Sequence, residues 1–118
     1  GGTDSPFEDW AVTQVKNFGF EPVTQVGVRG FQIDIGVKHP DVSGYILGIE
    51  CDGATYHSSP SARDRDYLRQ SILESSGWEL HRIWSTDWIW DPQLTRENLR
   101  KALEKALAQK KKELTVEA

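Results

Sequence analysis

The sequence predicts an α/β domain in which a mixed central sheet is flanked by helices, in the order helix, three strands, helix, strand, helix. Three observations carry this. Apolar residues recur at helical spacing near both ends of the chain. Two neighbouring segments alternate with a period of two, and Tyr45 to Asp52 is almost uniformly apolar before its carboxylates. A run of that last kind suits a central strand covered on both faces, hence a sheet with helices on either side.

Ser5-Pro6-Phe7-Glu8 starts the first helix: Ser5 can cap, Pro6 suits the first helical position, and Glu8 completes a capping box. Phe7, Ala11, Val15 and Phe18 follow at helical spacing, and Gly19 ends the run. Residues 22–28 and 31–37 are β-branched or alternating, with Arg29-Gly30 between them, and predict a hairpin. A loop over 39–44 leads to the strand Tyr45 to Asp52. The second helix is expected over 61–76, with Leu68, Ile72 and Leu73 as its apolar side and Gly77 as its stop. Trp78 to Trp84 predicts a strand that enters a turn at Ser85-Thr86-Asp87. Asp91-Pro92 begins the last helix, whose Leu99, Ala102, Leu103 and Ala106 form one stripe. The lysines Lys110, Lys111 and Lys112 would finish it favourably for the helix dipole. Residues 5–113 are expected to form one domain. Residues 1–4 are expected to be a disordered start, with Gly1-Gly2 a cloning remnant, and 114–118 a frayed tail.

With 118 residues, 37% hydrophobic and 27% charged, the chain has the composition of a soluble globular domain. The single cysteine excludes an internal disulfide and argues against a cysteine-built zinc site, so no zinc is expected, and a reducing, cytoplasmic setting fits. No apolar run is long enough to span a membrane, and no signal peptide is evident. A formal charge of −4 does not advertise nucleic-acid binding, so any basic contact surface has to be local.

Side-chain alternation then gathers acids. On the second hairpin strand Phe31, Ile33, Ile35 and Val37 share one face, leaving Asp34 on the other. On the third, Leu47, Ile49 and Cys51 share a face, leaving Glu50 and Asp52 opposite. If the strands are neighbours, three carboxylates converge, and a hard divalent cation relieves their crowding. Asp34 and Glu50, with the main-chain carbonyl of Cys51, suit magnesium or manganese. His57, just past the turn at Gly53, is placed to shuttle a proton or bind a phosphate. The competing account pairs each acid with Arg63, Arg65 or Arg69 and leaves His57 an ordinary loop histidine.

Asp34, then Glu50-Cys51-Asp52-Gly53 with His57, then Arg65-Asp66, Leu73, Gly77-Trp78 and Arg82-x-Trp84 resemble the very-short-patch-repair (Vsr) endonuclease-like branch of the PD-(D/E)XK, restriction-endonuclease-like nucleases. Within it the chain is similar to the domain at the C-terminal end of large helicase-related proteins, over residues 5 to about 91. The resemblance implies a restriction-endonuclease-like core and a metal-dependent DNA endonuclease, part of a larger helicase-related DNA-processing, repair or defence protein. It makes Asp34 and Glu50 the metal pair, puts Asp52 where the superfamily has its lysine, and adds Glu8 as an acid that often joins the site. Gln25 matches a glutamine of related domains. Three departures stand out. Ile33, not proline, precedes Asp34. The lysine's charge has to come from His57, Arg63 or a second metal. The Vsr zinc cluster cannot be built, so mismatch specificity is not carried over.

Arg63, Arg65 and Arg69 are placed to meet phosphates beside the metal, or else to form a solvated helix face paired with Asp64 and Asp66. Arg82 by itself is given no role. Trp10, Trp78 and Trp84 read as core or core-edge packing. Trp88 and Trp90 suit either base stacking or core, with core favoured. The rival function is a catalytically silent nuclease-like module that binds nucleic acid or docks a helicase domain.

Overall fold

A computed structural model describes residues 5–53 and 60–117. Among these the elements run α1 (Pro6–Asn17), β1 (Glu21–Val28), β2 (Phe31–His39), β3 (Val42–Asp52), α2 (Pro60–Ser75), β4 (Leu80–Trp84), α3 (Ser85–Trp90) and α4 (Pro92–Glu117). The sheet order is β1-β2-β3-β4, antiparallel for the first two pairings and parallel for β3 with β4. This is the expected α/β architecture with one added element. Residues 85–90, read from sequence as a turn, form the short helix α3.

Local chemistry explains most of the boundaries. Arg29 and Gly30 both take positive φ, 54° and 81°, as a two-residue hairpin turn requires. Pro40-Asp41 alone turns β2 into β3, so the loop expected over 39–44 is mostly strand. Ser5 sits at the N-cap of α1, but its side chain makes no capping bond, and Pro6 alone carries out its expected role there. Asp91 does cap α4: its Oδ1 accepts the Leu94 N–H at 3.0 Å, and Pro92 follows at the first helical position. Helix α4 continues through Glu117, past the point where fraying was expected. Lys110, Lys111 and Lys112 therefore lie inside it, with Lys111 Nζ 3.2 Å from Asp41 Oδ2.

One face of the sheet is covered by α1 and α4. Phe7, Ala11 and Val15 meet Ile35, Val37, Leu47, Ile49 and Ile83, and Leu99, Leu103 and Ala106 close the cluster. Each fully buried aliphatic side chain here contributes about 1.5–3 kcal/mol. Helix α2 covers the other face more sparingly: Ala62 and Leu73 are buried, but Leu68 is 58% exposed and does not join the apolar side expected for it. Polar side chains supply the rest of that contact, and they make the site.

Strict alternation fails in β2. Ile33 Cγ2 lies 3.1 Å from where a Cβ on Gly48 would stand, and Ile33 is absent from the cluster that holds Ile35 and Val37. It therefore sits on the α2 face rather than with them. The cause is across the ladder: pairing skips from Thr24↔Ile35 to Val26↔Ile33, and the omitted residue, Gln25, has φ 55°. A left-handed glutamine breaks the pleat, and Asp34 lies opposite the break.

Candidate active site

Strands β2 and β3 stay paired through Ile35↔Ile49, and no backbone pair follows toward the C-terminal end of β3. There the Asp34 side chain takes over: Oδ2 accepts the Cys51 N–H at 2.8 Å, replacing a main-chain acceptor with a carboxylate. Glu50 and Asp52 flank that amide. In the parallel register Glu50 lies beside Arg82 and Asp52 beside Trp84. The sheet thus opens at one end and fills the opening with acids.

Two guanidiniums from either side hold them. Arg69, reaching in from α2, places Nη2 2.5 Å from Glu50 Oε1 and 2.7 Å from the Gln32 carbonyl. Arg82, on β4, places Nε 2.8 Å from Asp52 Oδ2 and donates through Nη2 to Asp66 Oδ1 at 2.8 Å. Asp66 in turn belongs to α2, so this chain of ion pairs fastens the helix to the sheet.

Electrostatics mark the concentration of negative charge. Glu50 is only 4% exposed, and burial pushes its carboxyl up to about 7. Arg69 pulls against that shift, while Asp34 and Asp52 add to it. Burial also raises the Cys51 thiol, and Asp34, Glu8, Asp52 and Glu50 each push it further. That set brings Glu8, in the first turn of α1, into the field of the three strand acids. Burial holds Arg82 down, but its bond to Asp66 and the charges of Asp52, Asp66 and Glu50 raise it on balance.

The donors fit a hard divalent ion in kind: carboxylate oxygens on adjacent strands, one of them buried and reluctant to ionise without a cation. As they stand, among the described residues no three His, Cys, Asp or Glu side chains are gathered closely enough to hold one. The cationic partners of Glu50 and Asp52 are instead Arg69 and Arg82.

Asp34 and Asp52 lie within electrostatic reach of Glu50, and Glu8 within that of Cys51, but the three strand acids do not close into a ligand cluster. Arg69 arrives too, but on Glu50 rather than turned outward to a ligand. Arg63 and Arg65 are exposed on α2, and Gln25 is exposed on β1. His57 lies outside the described residues. Arg82 was missed, although a signal existed: an arginine inside the short strand Leu80–Trp84 is costly unless an acid meets it. Trp88 packs on Phe7 with ring centroids 4.9 Å apart, consistent with core, whereas Trp90 is 86% exposed. A cleft of about 520 Å³ lies at the other end of β3 and β4, bordered by Tyr45, Leu80, His81 and Ala106, away from the acids.

Comparison with known proteins agrees with this fold. The catalytic domain of homing endonuclease I-Bth0305I superposes with a TM-score of 0.67 at 18% identity, over 87% of this chain and 98% of that one. At that identity the likeness speaks for the fold. A comparison with curated proteins returns no match. No described helix is long and apolar enough to cross a membrane. The restriction-endonuclease-like family REase_MTES_1575 matches residues 7–103, which span α1 through the first half of α4 and every strand acid described above, and the chain belongs to that family.

Proposed function

We propose that this chain is a metal-dependent DNA endonuclease domain that hydrolyses phosphodiester bonds. The observation that carries the reading is the convergence of Asp34, Glu50 and Asp52 where β2 and β3 part, in a chain of this family. Asp34 and Glu50, with the Cys51 carbonyl and Asp52, are the residues to hold magnesium or manganese. When bound, such an ion supplies a Lewis acid for a phosphate oxygen and lowers the pKa of water.

The chain's own groups do the rest. Arg69 exchanges Glu50 for a phosphate oxygen, which suits a guanidinium as well as a carboxylate does. Asp52, held by Arg82, occupies the position of the superfamily lysine and orients water by accepting its hydrogen bond. His57 or a water molecule gives a proton to the leaving oxygen, and Glu8 adds its negative charge to that of the strand acids. Arg63, Arg65 and Gln25, all exposed, contact the DNA backbone. Within the family the chain falls in the Vsr-like branch, as a domain of a larger helicase-related DNA-processing, repair or defence protein.

One observation favours a second reading. Both guanidiniums already neutralise the acids, as a catalytically silent module for nucleic-acid binding or partner docking would require. Incubation of supercoiled and single-stranded DNA with magnesium or manganese separates the two. Cleavage by the wild type that is lost in Asp34→Ala and Glu50→Ala supports the enzyme. A folded wild type that binds DNA without cutting it supports the silent module.

A further inference from the structure

We infer that the cleft between α2 and β4 takes a single unpaired base of a DNA strand, so that the preferred substrate has an unpaired nucleotide beside the cleaved phosphate. This rests on the DNA reading above and names the substrate class of the same site.

The cleft is about 270 Å³ and is lined, among the described residues, by Arg63, Asp66, Tyr67, Gln70, Arg82 and Trp84. Pockets for larger organic ligands begin at about 300 Å³, so the space suits one planar ring. Its α2 wall follows from helical spacing. Residues 63, 66, 67 and 70 recur three and four apart and so share one face of the helix. That face puts an arginine, a tyrosine and a carboxamide in one row, opposite the tryptophan on β4.

Tyr67 is 76% exposed and contributes nothing to the core. A single exposed aromatic is unremarkable on a protein surface. Here it borders a cleft whose other aromatic, Trp84, already carries the Arg82 guanidinium 5.3 Å from its ring centroid. Aromatic rings and a guanidinium are the surfaces on which a base stacks without regard to its identity. Arg63 stands one turn before Tyr67, exposed, where it can meet the phosphate of the same nucleotide.

The cleft also shares a residue with the acids. Arg82 lines it and is 2.8 Å from Asp52. A base held there lies next to the nucleotide whose phosphate faces the carboxylates. Bases inside a duplex keep their faces covered by their neighbours, so only a base out of the stack can enter.

The test measures binding of three labelled oligonucleotides in calcium: a single strand, a duplex with one unpaired nucleotide, and the fully paired duplex. Tyr67→Ala is expected to weaken the first two roughly tenfold and to leave the paired duplex within about twofold. Tyr67→Phe, which keeps the ring, is expected to bind all three like the wild type. Equal loss on all three, or no loss on any, as for a tyrosine that serves a protein partner, overturns the inference while the DNA reading stands. A folded wild type that binds none of the three overturns the DNA reading itself.

Discussion

Asp34 Oδ2 accepts the Cys51 N–H at 2.8 Å, so the same carboxylate that we propose as a metal ligand also finishes the β2–β3 ladder. The two roles separate by substitution. Asp34→Asn keeps an acceptor for the amide and is expected to stay within about 1 kcal/mol of wild-type stability. Asp34→Ala leaves that N–H unmatched and is expected to cost about 1–3 kcal/mol. Both are expected to abolish cleavage, because neither supplies a negative oxygen. Urea denaturation alongside a plasmid-nicking assay checks the pair; full activity in Asp34→Asn would remove Asp34 from the metal pair.

Glu50 predicts an unusual pH dependence. Its folded value is about 7 against an ordinary 4.5, so between those limits the folded chain holds a proton that the unfolded chain has released. Stability from this group is therefore complete below pH 4.5, falls as pH rises toward 7, and is level above. The change is on the order of 3 kcal/mol. His81 has the opposite sign: burial lowers it, so its contribution is lost as pH falls below 6.5. Glu50→Gln isolates the first effect. The stability difference between wild type and variant, measured in urea at pH 5 and pH 8, is expected to shift against the wild type at pH 8. An unchanged difference would mean that Glu50 does not titrate in this range.

Arg82 anchors Asp52 and Asp66 from β4, and Arg82→Gln removes that ion pair from both carboxylates. Severing a fully buried pair costs about 3–5 kcal/mol; these side chains are one-fifth exposed, so about 2 kcal/mol is the expectation. Arg82→Lys is expected to recover less than half of it, since one ammonium cannot serve both acids with the fork of a guanidinium. Thermal melts of the two variants decide this. Equal stability of wild type and Arg82→Gln would show that Asp52 and Asp66 need no common partner.

Much of this was legible in the sequence because periodicity reports burial. The uniform apolarity of Tyr45–Ile49 marked the central strand, and the spacing of Leu99, Leu103 and Ala106 marked the face of α4 on the core. Glu50 and Asp52 were legible as acids at the end of a strand, and Asp34 as an acid within the strand before it. Their placement in detail was not. Strict alternation assigned Ile33 to the wrong face because a left-handed Gln25 on the neighbouring strand breaks the pleat, and nothing in β2 itself records that. Arg82 was passed over because its partners, Asp52 and Asp66, come from two other elements. Leu68 was assigned to the core because the α2 contact was taken to be apolar, whereas ion pairs make much of it.

The tryptophans after β4 test the packing directly. Trp88 stacks on Phe7 and lies 6.0 Å, centroid to centroid, from Trp10, bridging α3 to α1. Trp90, two residues on, is 86% exposed, beside Ile89 and Leu94, which are also exposed. Trp88→Ala removes a large ring from the core edge and is expected to cost about 3 kcal/mol. Trp90→Ala is expected to stay within about 0.5 kcal/mol, as for surface changes generally. Chemical denaturation of both variants checks the contrast. If Trp90→Ala proved the costlier, α3 would have to turn its other face inward, and the stacking of Trp88 on Phe7 could not be the contact that seats it.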